Sequence, residues 1–131
     1  MIRIYFLSFF LAFSFVLGGC SEQNISSHAI SFQTFQEKVA KKEAMVLEIG
    51  SSSCRSCIEM KKTIEKLKAR TPSLPIYILD VYDDFTIFSY FKLQVIPTQI
   101  VIDKKGNEIY RHSGILKEAE LLKLVMTLDA L

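Results

Sequence analysis

The stretch Met45-Val46-Leu47-Glu48-Ile49-Gly50-Ser51-Ser52-Ser53-Cys54-Arg55-Ser56-Cys57 changes character twice over a short length. Met45 to Ile49 is a short, mostly apolar run closed by Gly50 and three serines, the pattern of a buried strand running into a loop. From Cys54 to Arg70 the period becomes helical. Cys57, Met60, Ile64 and Leu67 fall on one face, and Lys61, Lys62, Glu65, Lys66 and Lys68 cover the rest. The two cysteines therefore sit where a strand and loop hand over to a helix.

That position has chemical content. The first turn of a helix presents unpaired backbone N–H groups and the positive end of the helix dipole, and both favour a nearby thiolate. The thiolate is the nucleophile in disulfide exchange. Cys54, at the helix start, is expected to attack a partner disulfide, and Cys57, one turn inward, to resolve the mixed disulfide. Arg55 adds a cation beside Cys54. Two other readings fit the same letters. Half a zinc site needs further ligands, and only His28 and His112 remain beyond the cysteines. A structural disulfide suits an oxidising compartment, but so small a loop removes little unfolded-state entropy. Redox work explains the pair better than either.

Outward from this junction the pattern continues. Ser31 to Lys42 reads as a helix with Phe32, Phe35 and Val39 at helical spacing, starting at Ser31 or Thr34. Thr71-Pro72 stops the helix that follows the cysteines. Ile76 to Val81 is a second strand, and Asp83 or Asp84 caps a short helix through Phe85, Ile87, Phe88 and Phe91. Thr98 to Ile102 is a third strand, Asp103 to Asn107 a hairpin turn, and Glu108 to His112 a fourth strand. After Gly114 a last helix buries Leu121, Leu122, Val125 and Leu128. The order α-β-α-β-α-β-β-α predicts an α/β fold: parallel pairing among the early strands, an antiparallel edge, and helices on both faces of a mixed sheet. Residues 31–131 form that domain.

The amino terminus reads differently. Arg3 precedes an apolar run from Ile4 to Leu17, broken only by Ser8 and Ser14 and ending in Gly18 and Gly19. It falls short of the roughly 20 apolar residues of a membrane-spanning helix and has the layout of a secretory signal peptide over 1–19. Residues 20–30 are expected to tether the domain, since Ser21 to Ala29 is polar and without periodicity. Sixteen basic and 14 acidic side chains give a formal charge of +2, which offers no electrostatic case for nucleic acid.

Leu17-Gly18-Gly19-Cys20 resembles the lipobox of bacterial lipoproteins. The resemblance implies cleavage before Cys20, lipid on its sulfur, and a domain held at the bacterial cell envelope, facing the periplasm or the cell exterior. It also accounts for the odd cysteine, leaving Cys54 and Cys57 as a pair. From Ser31 onward the chain resembles the thioredoxin superfamily on four features in order: the CxxC at a strand-to-helix junction; Ile96-Pro97-Thr98, with Pro97 40 residues beyond Cys57 and just ahead of a strand; Glu48 on the strand before the CxxC; and Gly114 between the hairpin and the last helix. This implies a thioredoxin-like three-layer sandwich acting as a thiol-disulfide oxidoreductase, inclined to reduce protein disulfides. The catalytic residues would be Cys54, Cys57 and Glu48, the last a buried acid taking the Cys57 proton. Ile96, Gly114 and a cis-Pro97 would meet substrate, with Arg55 beside the sulfurs.

No cofactor beyond the Cys54–Cys57 disulfide is implied. The partners implied are protein thiols and disulfides, the membrane through the lipid on Cys20, and a membrane thiol relay as electron donor. The alternative on the same scaffold is a Cu(I) metallochaperone using Cys54, Cys57 and His112, since soft thiolates favour that ion. The chain departs from the common pattern at Ser53, where many members carry Trp, and at Arg55-Ser56, where many carry Gly-Pro.

Overall fold

The computed structural model describes residues 28–130; the predicted signal peptide and Cys20 lie outside the described residues. Strand β1 (Met45–Gly50) is the organising element, with all six residues buried. It pairs in parallel with β2 (Ile76–Asp80) and antiparallel with β3 (Thr98–Ile102), and β3 pairs antiparallel with β4 (Glu108–Ser113), giving the order β2-β1-β3-β4.

Side chains alternate across a strand, so β1 feeds two cores. Met45, Leu47 and Ile49 pack with Phe35 of α1 (Phe32–Ala40), with Ile87 of α3 (Thr86–Tyr90), and with Phe91 just beyond it. Val46 faces the opposite layer, where Met60, Ile64 and Leu67 of α2 (Arg55–Arg70) meet Leu121, Val125 and Leu128 of α4 (Glu118–Leu128). The result is the expected three-layer α/β sandwich with a mixed sheet. Glu48 follows Val46 in the alternation and so lies in the α2/α4 layer, the layer to which Cys57 belongs.

Local chemistry sets the helix ends. Ser31 Oγ accepts the Thr34 N–H at 3.0 Å, which decides for Ser31 as the cap of α1. Of the two aspartates ahead of α3, Asp84 takes the Thr86 N–H at 2.8 Å and the Thr86 hydroxyl at 2.6 Å.

Three expectations need correction. Strand β3 does not continue the parallel pattern but runs antiparallel to β1. Helix α3 has five residues, about 7.5 Å of rise, too little to carry the chain back along a strand about 17 Å long. The chain therefore re-enters the sheet from the end it left. Next, residues 28–30, expected to belong to the tether, join the sheet instead. Ile78 N–H donates to His28 O at 2.9 Å, Ile30 N–H donates to Ile78 O at 2.9 Å, and Ala29 bridges Ile78 in parallel. The outer edge of β2 still had backbone groups to satisfy, and residues 28–30 supply the partners. Last, Lys68 does not cover the helix surface. It is 5% exposed; its Nζ donates to Ile76 O at 3.0 Å and lies 4.9 Å from the Tyr77 ring centroid. Among the described residues no helix is long and apolar enough to cross a membrane.

Candidate active site

Cys54 occupies the cap position of α2 in extended backbone (φ −91°, ψ 119°), and its Sγ accepts the Cys57 N–H at 3.3 Å. A sulfur where a Ser or Asp oxygen usually caps a helix takes up one of the orphan N–H donors of the first turn. Ser56 Oγ lies 3.3 Å from the same sulfur. Cys54 is half-buried and Cys57 is 5% exposed, so the pair presents one sulfur and shelters the other. They are joined as a disulfide, with Cα atoms 5.2 Å apart. Arg55 stands exposed at the first helical position.

The loop before Cys54 is anchored from β2. Asp80 accepts the Ser52 N–H and the Tyr82 N–H, each at 2.8 Å, which ties the cysteine loop to the end of the neighbouring strand. Gly50 explains how close β1 comes to the sulfurs. A Cβ on Gly50 would lie 2.8 Å from Cys57 Cβ and 3.0 Å from Cys57 Sγ, so the strand can approach only without a side chain there. Glu48 Oε1 is 3.7 Å from the same point. The predicted acid and the inner cysteine are thus brought together across one missing methyl group.

Glu48 is 1% exposed. Its Oε2 accepts a 2.7 Å hydrogen bond from Gln99 Nε2, while its Oε1 is buried with no hydrogen-bond partner. Burial pushes the carboxyl from its ordinary 4.5 up to about 8, with the Gln99 hydrogen bond pulling the other way. A cavity of about 120 Å³ reaches this spot, lined among others by Glu48, Gly50, Ser51, Cys57, Lys61 and Asp80.

Gln99 also joins the other expected site residues to the acid. Its Nε2 donates a second bond, of 3.0 Å, to Gly114 O, and the Gly114 N–H donates to Pro97 O at 2.8 Å. Gly114 has φ +102°, a conformation side-chain-bearing residues rarely adopt. The Ile96–Pro97 peptide is cis, with Pro97 buried and Ile96 half-buried. Glu48, Gly114 and Pro97, read separately from the sequence, are therefore linked in one hydrogen-bonded path through Gln99.

His112 is not among the residues lining the cavity at the sulfurs. It lines a separate groove between β4 and α4 with Ile109, Tyr110, Leu116 and Glu120. Among the described residues no group of three or more His, Cys, Asp or Glu side chains is arranged to hold a metal ion. Two residues escaped the sequence reading. Gln99 looks like the polar member of an ordinary strand, and only its cross-strand register with Glu48 reveals it. Gly50 reads as a strand terminator, although its position a few residues before a CxxC was the available signal.

Residues 31–128 match the family model described as a thioredoxin-like domain. Solved structures share the fold. Chloroplastic thioredoxin z is 18% identical, covers 79% of this chain and 94% of its own, and superposes with a TM-score of 0.66. A thioredoxin from Nicotiana alata is 23% identical over 85% and 98% of the two chains, with a TM-score of 0.64. Mitochondrial thioredoxin 3 from Saccharomyces cerevisiae is 19% identical over 79% and 93%, with a TM-score of 0.60. A search of the curated proteins found no match.

Proposed function

This chain belongs to the thioredoxin-like family, and from that premise we propose that it reduces protein disulfides on the outer side of a bacterial membrane, held there by lipid on Cys20. The fold and the CxxC pair together support a thiol-disulfide oxidoreductase. One observation carries the reading: a half-buried Cys54 sulfur that takes the Cys57 N–H in the first turn of α2, beside a buried Cys57 next to a buried acid.

In the reduced protein the Cys54 thiolate attacks one sulfur of a substrate disulfide. The Cys54–substrate bond forms, and the first substrate thiolate leaves. Cys57 then gives its proton to Glu48 and attacks Cys54 Sγ. This forms the Cys54–Cys57 disulfide and expels the second substrate thiolate, so two electrons pass to the substrate. The backbone of Ile96, just before the cis-Pro97 and with Gly114 beside it, is suited to pair with an extended substrate segment, as in strand addition. The oxidised pair is reset by a dithiol donor, for which a membrane thiol relay is the natural source for an anchored domain.

The chemical part is tested with the full chain in an insulin-reduction assay driven by a small dithiol. Cys54→Ser abolishes turnover, and Cys57→Ser accumulates a mixed disulfide on Cys54 visible on a non-reducing gel. Retention of turnover in Cys54→Ser sinks the reading. The anchoring is tested by mass spectrometry of the mature chain, where an unmodified Cys20 thiol removes it.

A further inference from the structure

Gln99 stands in the middle of β3 at 0% exposure. Its register partners are Glu48 on β1 and His112 on β4, so a polar row crosses the sheet on the α2/α4 side. A wholly buried amide is costly unless its groups are satisfied. Gln99 is satisfied on one side only: Nε2 donates to Glu48 Oε2 at 2.7 Å and to Gly114 O at 3.0 Å, while Oε1 has no partner. Two acceptors fix which end of the amide points at them, because only the NH2 group can donate.

The two oxygens of Glu48 are made unequal by this contact. Oε2 is held, whereas Oε1 carries no hydrogen bond and lies, with Cys57 Sγ, within 4 Å of the point where a Gly50 side chain would begin. We infer that Gln99 is a positioning residue for the resolving step, holding Glu48 by Oε2 so that Oε1 receives the Cys57 proton, and tying that carboxylate to the Gly114–Pro97 loops. This rests on the oxidoreductase reading. In the step, the Cys57 S–H bond breaks and its proton goes to Oε1. The Cys57 sulfur bonds to Cys54 Sγ, and the substrate sulfur leaves with the electron pair of the broken disulfide.

The charged and titratable groups around Glu48 are Cys57 and Lys61 from α2 and Asp80 and Asp83 from the end of β2, which share the cavity, and His112 from β4 along the row. From α4, Glu120 and Lys123 line the His112 groove instead. Lys61 is 3.8 Å from Glu65. Among the described residues Gln99 donates the one hydrogen bond that the Glu48 carboxylate accepts, and it favours the ionised form that can accept a proton.

The test uses the reduced full chain and dithiobis(nitrobenzoic acid) in stopped flow. Attack by Cys54 and resolution by Cys57 each release one chromophore, and Cys20→Ser, Cys54→Ser and Cys57→Ser chains assign the phases. Gln99→Met, close to Gln in volume, leaves the Cys54 phase unchanged, slows the Cys57 phase about tenfold at neutral pH, and moves its pH midpoint upward. Gln99→Leu, which has no group able to donate to the carboxylate, gives the same displacement. A Cys57 phase with an unmoved midpoint in both variants overturns the role of Gln99 and leaves the oxidoreductase reading intact. An unreactive Cys54 in the unsubstituted chain overturns that reading, and this one with it.

Discussion

Glu48 on β1 and Glu108 on β4 are the same side chain on two strands of one sheet, and they live in different solvents. Glu108 sits on an edge strand, bonded to Arg111 through two 2.6 Å contacts and about one-third exposed. Glu48 sits on the central strand, sealed between layers, with one oxygen unmatched. An exposed ion pair contributes little to stability, and the residue is replaceable. A buried carboxyl with a single partner is a standing cost. The contrast teaches where to look for chemistry: at the polar group the fold tolerates against its own stability.

The largest effect that sharpens this contrast comes from Glu48→Gln. The substitution removes the proton acceptor and slows the Cys57 phase by about a hundredfold. It also removes a pH dependence of stability. Because burial lifts the carboxyl from 4.5 to about 8, the folded chain keeps a proton that the unfolded chain releases. Stability therefore falls as pH rises from 4.5 to 8, by on the order of 5 kcal/mol, and levels off above that. Urea titrations across this range show the decline in the parent chain and a flat line in Glu48→Gln. A flat line in both breaks the contrast.

Gly50→Ala comes next. The added methyl meets Cys57 at 2.8 Å, so α2 must move away from β1, at a cost of about 1–3 kcal/mol by denaturant titration. Glu108→Gln is the smallest. It changes stability by less than about 0.5 kcal/mol and leaves both cysteine phases unchanged, and a larger loss would make the edge strand more than a solvated boundary.

Much of this was legible in the chain because its signals are local. The change from a short apolar run to a helical period located β1 and α2, and the cysteines at that change located the helix start. Gln99 was not legible, because its importance comes from register: Thr98 to Ile102 does not announce that Gln99 will face Glu48 rather than water. The direction of β3 depended on the length of α3, which only the folded chain reveals. Lys68 was read as surface because a lysine at that spacing usually is, yet a backbone carbonyl and an aromatic ring received its ammonium.

The short stitch of residues 28–30 onto Ile78 carries a consequence for how the sheet ends. It occupies hydrogen-bonding groups that β2 would otherwise offer to a passing chain. Among the described residues, β4 is then the long unpaired margin, and it carries the Glu108–Arg111 ion pair. Ionic side chains on an open rim discourage a second sheet from adding to it. Among the described residues the two flanks of the sheet thus differ in kind, with a strap of backbone on Ile78 at one and an ion pair at the other.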